Sequence, residues 1–282
     1  MAQRRVRDEV LGWGGTRPVV PSGLVVDLAR TLARAVAGGL PATAPGGQAR
    51  QRVTASALAR LPGSGPPGAQ DAATVRGRLL AAVVADDLAA GHAEPVASLV
   101  ARAVTELASG RHGDPGSASH WWNGAEAATR AAIRAEVAAV AAQLRTVWPP
   151  LDPAEVQVTV RPRLAATVTG RPVVLQARPL VVLDSPRRDE RARSIVLVAR
   201  TGMPRPREDR LLARVTALIA TLAAQRPPFR WGVLHVTEGR FEVEDLDPEV
   251  LLATAATAGA RVGTVLAGAA GSQGDAGTPR RR

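Results

Sequence analysis

The sequence predicts an α+β fold, with a helical N-terminal half packed on a mixed β-sheet. Three observations carry this. Apolar residues recur with a helical period up to about residue 147, and after Pro153 they alternate in twos. From residue 124 the elements run helix, three antiparallel strands, helix, strand, helix. With 46% hydrophobic residues but only 2% aromatic ones and no Tyr, the core rests on Val and Leu.

The elements follow in order. Residues 1–22 are charged, then Gly- and Pro-rich, and are expected to be a flexible N-terminus. Ser22 is placed to cap a helix over 24–37, with Leu24, Leu28, Leu32 and Val36 on one face. A short helix over 54–61 has Thr54 as its cap, and the stretch after it, "PGSGPPGAQ", reads as a linker. Three longer helices are expected over about 71–90, 94–109 and 124–147, with a turn-rich loop before the last that ends in Trp121 and Trp122. The tryptophan pair is read as core. Pro149, Pro150 and Pro153 close the helical part, 23–150. In the second part, 151–266, "EVQVTVRPRLAATV" reads as one strand and "PVVLQARPLVVLD" as a second, bent at Pro179. "GR" at 170–171 is the turn between them. "SIVLVAR" is the third strand, following a charged loop. A helix over 207–225 leads to a strand within 227–239 and a short fifth strand, "RFEVEDL". Asp247 caps a closing helix that has Pro248 in its first position. Residues 267–282 read as a disordered basic tail.

Composition excludes several chemistries. All 36 basic residues are Arg, and the formal charge is +11. Codon bias in a GC-rich coding sequence accounts for Arg in place of Lys. It does not account for the imbalance of charge, which favours an anionic partner. Without Lys there is no Walker lysine and no Schiff base; without Cys there is no disulfide, thiol catalysis or cysteine metal site. The missing Cys fits a reducing, cytoplasmic setting. No run of about 18 apolar residues without charge or breakers is found, so neither a membrane span nor a membrane partner is expected. The basic opening lacks the apolar stretch of a secretory signal. The four histidines, His92, His112, His120 and His235, show no metal spacing, and His235 inside a strand reads as structural.

The string "VLVARTG", the continuation "REDRLLARVTALIATLAAQRPPFRWGVLHVTEGRFEVEDLDPEVL" and the earlier "VTASALARL" and "VRGRLLAAVVADDLA" together resemble the PD-(D/E)XK nuclease superfamily, in particular its RecB-type branch. The resemblance covers about 54–265. It implies a restriction-endonuclease-like αβββαβ core. In that branch the second core strand carries a metal-binding Asp. The third ends in a carboxylate, any residue, then Lys, followed by Thr-Gly. Residues separated by one on a strand share a face, so carboxylate and Lys both reach the scissile phosphate. Here the Asp position falls on Leu180, the carboxylate on Val198, the Lys on Arg200, and the His position of the early helix on Ala81. Val and Leu offer no oxygen to a hard cation. Arg200 holds a phosphate well but does not exchange protons near neutral pH.

Three functions follow as expectations. The first is a catalytically inactive nuclease-like module that binds DNA or docks on a helicase or recombination protein, without cofactor. Its DNA contacts would come from Arg200, Arg205, Arg207, Arg210 and Arg214, of which 207, 210 and 214 fall on one helix face. The second is a divergent Mg²⁺-dependent DNA nuclease with ligands moved to Asp184 and Glu208. The third is a protein-interaction module with no nucleic-acid contact.

Overall fold

The computed structural model describes residues 11–12, 18–39, 50–61, 70–110, 117–152, 154, 156–184 and 194–274. The linker at 62–69, most of the N-terminal stretch, the loop at 185–193 and the tail beyond Gly274 lie outside the described residues. The fold is mixed α+β. Its described elements are α1 (Leu24–Gly39), β1 (Gln51–Thr54), α2 (Ala55–Ala59), α3 (Ala72–Ala89), α4 (Val96–Ala108), α5 (Ala118–Gly124) and α6 (Ala127–Val147). There follow β2 (Gln157–Val160), β3 (Leu164–Thr167), β4 (Val173–Ala177), β5 (Val181–Asp184), β6 (Ile195–Arg200), α7 (Pro206–Ala224), β7 (Arg230–His235), β8 (Arg240–Asp245) and α8 (Pro248–Gly274).

The two long strands expected between 155 and 184 are each broken in the middle, and their halves join different sheets. β2 pairs antiparallel with β5, and β3 with β4, so the segment is one long hairpin with a bend. Gly170, at φ +72°, makes its turn. Arg161 at φ +45° and Pro162 bend one arm, and Pro179 bends the other. Proline has no N–H for the ladder, so the break falls where the prolines are. One bond, Arg161 N–H to the Leu180 carbonyl at 2.9 Å, crosses the bend. The three strands expected as one meander are therefore five.

The main sheet has the order β2-β5-β6-β7-β8. β6 and β7 are parallel and joined through α7; the other pairs are antiparallel. Alternation sends Val181, Leu183, Ile195, Leu197 and Leu234 to one face, where α3–α6 cover them. Val196, Val198, Trp231 and Val233 go to the other, against α7. The result is helices, sheet, helices. Trp122, in the short α5 where a loop was expected, is 1% exposed and belongs to the first cluster, as its core reading requires.

The second sheet, β1-β4-β3, was not foreseen: β1 lies where only a loop and a cap were read. Its inner face, with Val53, Ala166, Val173, Leu175 and Ala177, joins the α7 cluster, so the bent hairpin wraps that helix. This accounts for burial nearly all round α7, from Ala213 to Thr221. Thr54 caps α2 as expected, accepting Ala57 N–H at 3.2 Å. Asp247 caps α8 through the N–H groups of Glu249 and Val250.

The helical N-terminal part does not stand apart. α1 packs on α8, and β1 and α2 pack with the second sheet and α7. Gly259 and Gly263 of α8 lie close against α1: a Cβ on Gly259 would strike the Ala35 methyl, and one on Gly263 the Gly39 carbonyl. α8 also continues to Gly274, so the expected tail begins inside a helix. Its stretch Pro248–Gly268 is long and apolar enough to cross a membrane by length and composition, but it carries Glu249 and Arg261 and so is not a charge-free apolar run. Leu251, Ala255, Ala258 and Val262 of that stretch are core.

Candidate functional site at the carboxyl ends of two parallel strands

β6 ends on Arg200 and β7 on His235, and the two residues are register partners. The crossover helix α7 starts just beyond. In open α/β sheets this place, outside the carboxyl ends of parallel strands, is where ligands bind. Because partners in a ladder share a face, Arg200, His235 and the Arg240 opposite it all point to the α7 side.

The charges there are matched. Arg200 Nε lies 3.1 Å from Asp209 Oδ1, and Asp209 is 1% exposed. The other oxygen of Asp209 accepts the Arg205 N–H at 2.7 Å, tying down the start of α7. Arg200 itself is partly exposed, and its Nε also donates to the Met203 carbonyl at 3.4 Å. His235 is buried with neither ring nitrogen hydrogen-bonded; Nε2 stands 3.4 Å from Glu242 Oε1. Glu242 is also held by Arg240, whose Nε reaches Glu238 at 3.1 Å.

The remaining arginines of the expected strip are mostly engaged as well. Arg214 gives Glu244 a two-pronged contact at 2.7 and 2.9 Å, and Arg210 approaches the same carboxylate at 3.4 Å. Trp231 Nε1 donates a third bond to it at 3.0 Å. Burial pushes the Glu244 carboxyl up, but the bonds from Arg214 and Trp231 outweigh it and hold the group below the ordinary glutamate range. Arg205 pairs with Glu208 at 3.2 Å. Arg207 is exposed and has no acidic partner among the described residues. The strip is therefore not a free cationic surface: four of its five members face carboxylates of α7 or β8.

The positions carried over from the nuclease motif are adjacent but do not share a pocket. The Leu180 N–H bonds to the Leu197 carbonyl, next to Val198. Leu180 turns into the α3–α6 cluster and Val198 into the α7 cluster, each 4% exposed. Ala81 packs against the first cluster. One turn before it, Gly77 sits against Thr201, the residue after Arg200, where a Cβ would collide with the Thr hydroxyl.

The relocated metal site fails on geometry. Asp184 is the register partner of Gln157 at the end of β5 next to the start of β6, while Glu208 lies beyond the other end of β6. The length of β6 separates them, roughly 20 Å at about 3.3 Å per residue. Glu208 is moreover taken by Arg205 and by the Leu61 N–H. No group of three or more His, Asp or Glu able to hold a metal occurs among the described residues.

The sequence reading missed Asp209, Glu242 and Glu244, which it passed over or assigned to a helix start. Only Glu242 left a signal, its parity with Arg240 two residues earlier on β8; Asp209 and Glu244 meet arginines of other elements. It also missed a second polar knot. Asp87, 2% exposed, accepts from Arg145 at 3.1 Å and from His92 at 2.8 Å, and His92 Nε2 lies 3.1 Å from the Trp148 carbonyl. Burial raises the Asp87 carboxyl, and the His92 and Arg145 bonds more than reverse it, leaving it below the ordinary range. This knot ties the end of α3 to the end of α6.

No model of a known protein family matches the chain, and no curated protein matches it.

Proposed function

We propose that the protein is a catalytically inert, nuclease-like domain of the PD-(D/E)XK type that binds DNA without cutting it. The observation that carries the reading is the main sheet: five strands in sequential order, the second and fifth antiparallel to the rest, with a helix crossing between the parallel third and fourth. A restriction-endonuclease-like αβββαβ core needs that succession. The close seat of Gly77 against Thr201 is consistent with it, since Gly77 lies in the stretch "VRGRLLAAVVADDLA" that carries part of the resemblance. Inertness follows from side chains. The positions that would hold Mg²⁺ carry Leu180 and Val198, both buried in hydrocarbon, and the position of the Lys carries Arg200, committed to Asp209. Hard cations require oxygen ligands. The +11 charge supports a polyanionic partner.

The test is one set of reactions with a DNA duplex, in Mg²⁺, in Mn²⁺ and in chelator. The expected outcome is salt-sensitive binding that is the same in all three, with the duplex intact. Metal-dependent cleavage that co-purifies with the folded protein overturns the inertness. Absence of binding at low salt overturns the DNA reading itself.

A further inference from the structure

The second sheet has an outer face that nothing described covers. Burial alternates along all three strands: Val53, Leu175 and Ala166 go inward, while Arg52 and Thr54 of β1, Gln176 of β4 and Thr167 of β3 stand outward. The register aligns Arg52 with Val174 and Thr54 with Gln176 on this side. Arg50, two residues before Arg52, belongs to the same side by the same alternation. So do Arg163 and Arg178, which flank the last pair of the β3–β4 ladder, Leu164 with Ala177, just outside the strands. All four arginines are exposed. Among the described residues none of the four has a hydrogen-bond or ion-pair partner, in contrast to the α7 strip.

We infer that this outer face is the surface that grips the sugar–phosphate backbone of a DNA duplex. The choice of DNA as the anion rests on the function proposed above; the surface rests on the sheet itself. Arg163 and Arg178 extend the β3–β4 register by one residue, and like charges brought opposite each other repel until an anion lies between them. Arg50, just before β1, and Arg52 are about 6.6 Å apart if the chain is as extended there as in the strand. Guanidinium forks at such spacings take phosphate oxygens two at a time. The rest of the face is small or polar. Among the described residues no aromatic side chain stands on it to stack an unpaired base, so the contact is to the backbone and independent of sequence. The same lack of aromatic and large apolar groups leaves no anchor for a lipid surface.

The test compares the full-length protein with two face variants, R163Q/R178Q and R50Q/R52Q, and with R34Q/R78Q, which removes the same charge from α1 and α3. Binding to a short duplex is followed by fluorescence anisotropy from about 50 to about 200 mM salt, the range over which phosphate contacts lose most affinity. Melting temperatures confirm that each variant is folded; two independent face pairs are used so that one unstable variant does not decide the matter. Each face pair is expected to lower the slope of log K against log salt by about 2, near 0.9 per lost contact, and the α1/α3 pair to leave it close to wild type. If the wild type binds and the face variants keep its slope, the face is not the interface and this inference falls alone. If the wild type binds no duplex at low salt, the DNA reading falls with it. Tighter binding to phosphatidylserine vesicles or to polyglutamate than to DNA, lost in the face variants, overturns the choice of partner.

Discussion

At the scale of single residues, the structure gives Arg200 a structural employer. It neutralises Asp209, a carboxylate almost wholly out of water at the start of α7. Removing one partner of such a pair leaves an uncompensated charge, worth about 3 kcal/mol. Arg200→Gln should therefore lower the melting temperature by roughly 6–12 °C, at about 2–4 °C per kcal/mol for a chain of this size. Arg200→Gln with Asp209→Asn should recover most of that loss, because the amide oxygen still accepts the Arg205 N–H. Calorimetry of the two variants decides it; a single variant as stable as wild type would show that water, not Arg200, solvates Asp209. The identity of Arg200 as a strand-end cation was legible in the sequence. Its partner was not, because Asp209 lies nine residues on, across a turn, and acidic residues in a first helical turn ordinarily need no partner beyond the helix dipole.

At the scale of elements, the clearest device is the contact between α1 and α8. Gly38 and Gly39 are neighbours in α1 with opposite circumstances. Nothing stands within 4 Å of a Cβ on Gly38, whereas a Cβ on Gly39 would sit 3.4 Å from the Ala260 carbonyl, and Gly263 is closer still to α1. Gly38→Ala should stabilise by about 0.5–1 kcal/mol through helix propensity alone. Gly263→Ala should cost about 1–3 kcal/mol, because the helices must part to admit the methyl. Urea unfolding of both variants gives the comparison, and equal shifts of the same sign would refute the close seam. The helices were readable as elements, since Leu24, Leu28, Leu32 and Val36 mark one apolar face and all four are buried. That α1 would lie against α8, more than 200 residues away, was not: pairing over such a distance leaves no local pattern. The bent hairpin failed for a related reason. Its strands alternate correctly, but alternation does not say that Pro162 and Pro179 fall opposite one another and hand half of each strand to a second sheet.

At the scale of the whole molecule, the mixed α+β class was legible from the change of period near Pro153, and the second sheet was not, because β1 is four residues long and lies in the helical half. The same scale governs acid stability. Asp87 and Glu244 each hold their carboxyl below its ordinary value in the folded state. The unfolded chain therefore binds protons first as pH falls. Stability from both groups is present in full above the unfolded values, near 4, and is lost as pH drops through the lower folded ones. Unfolding free energy should decline between about pH 5 and pH 3, and Glu244→Gln should flatten that decline; an unchanged slope would remove Glu244 from the account. The pairing of β1 with β4 has a further consequence during synthesis. Gln51 must wait for Val173, its register partner, 173 − 51 = 122 residues later. At about 5–20 residues per second the ribosome takes roughly 6–24 s to deliver it. Throughout that interval β1 is an unpaired edge followed by a nascent helix, while the β2–β5 hairpin, local in sequence, closes soon after it emerges. The N-terminal strand is made early and seated late, and a nascent chain halted before residue 173 has no outer face to offer an anion.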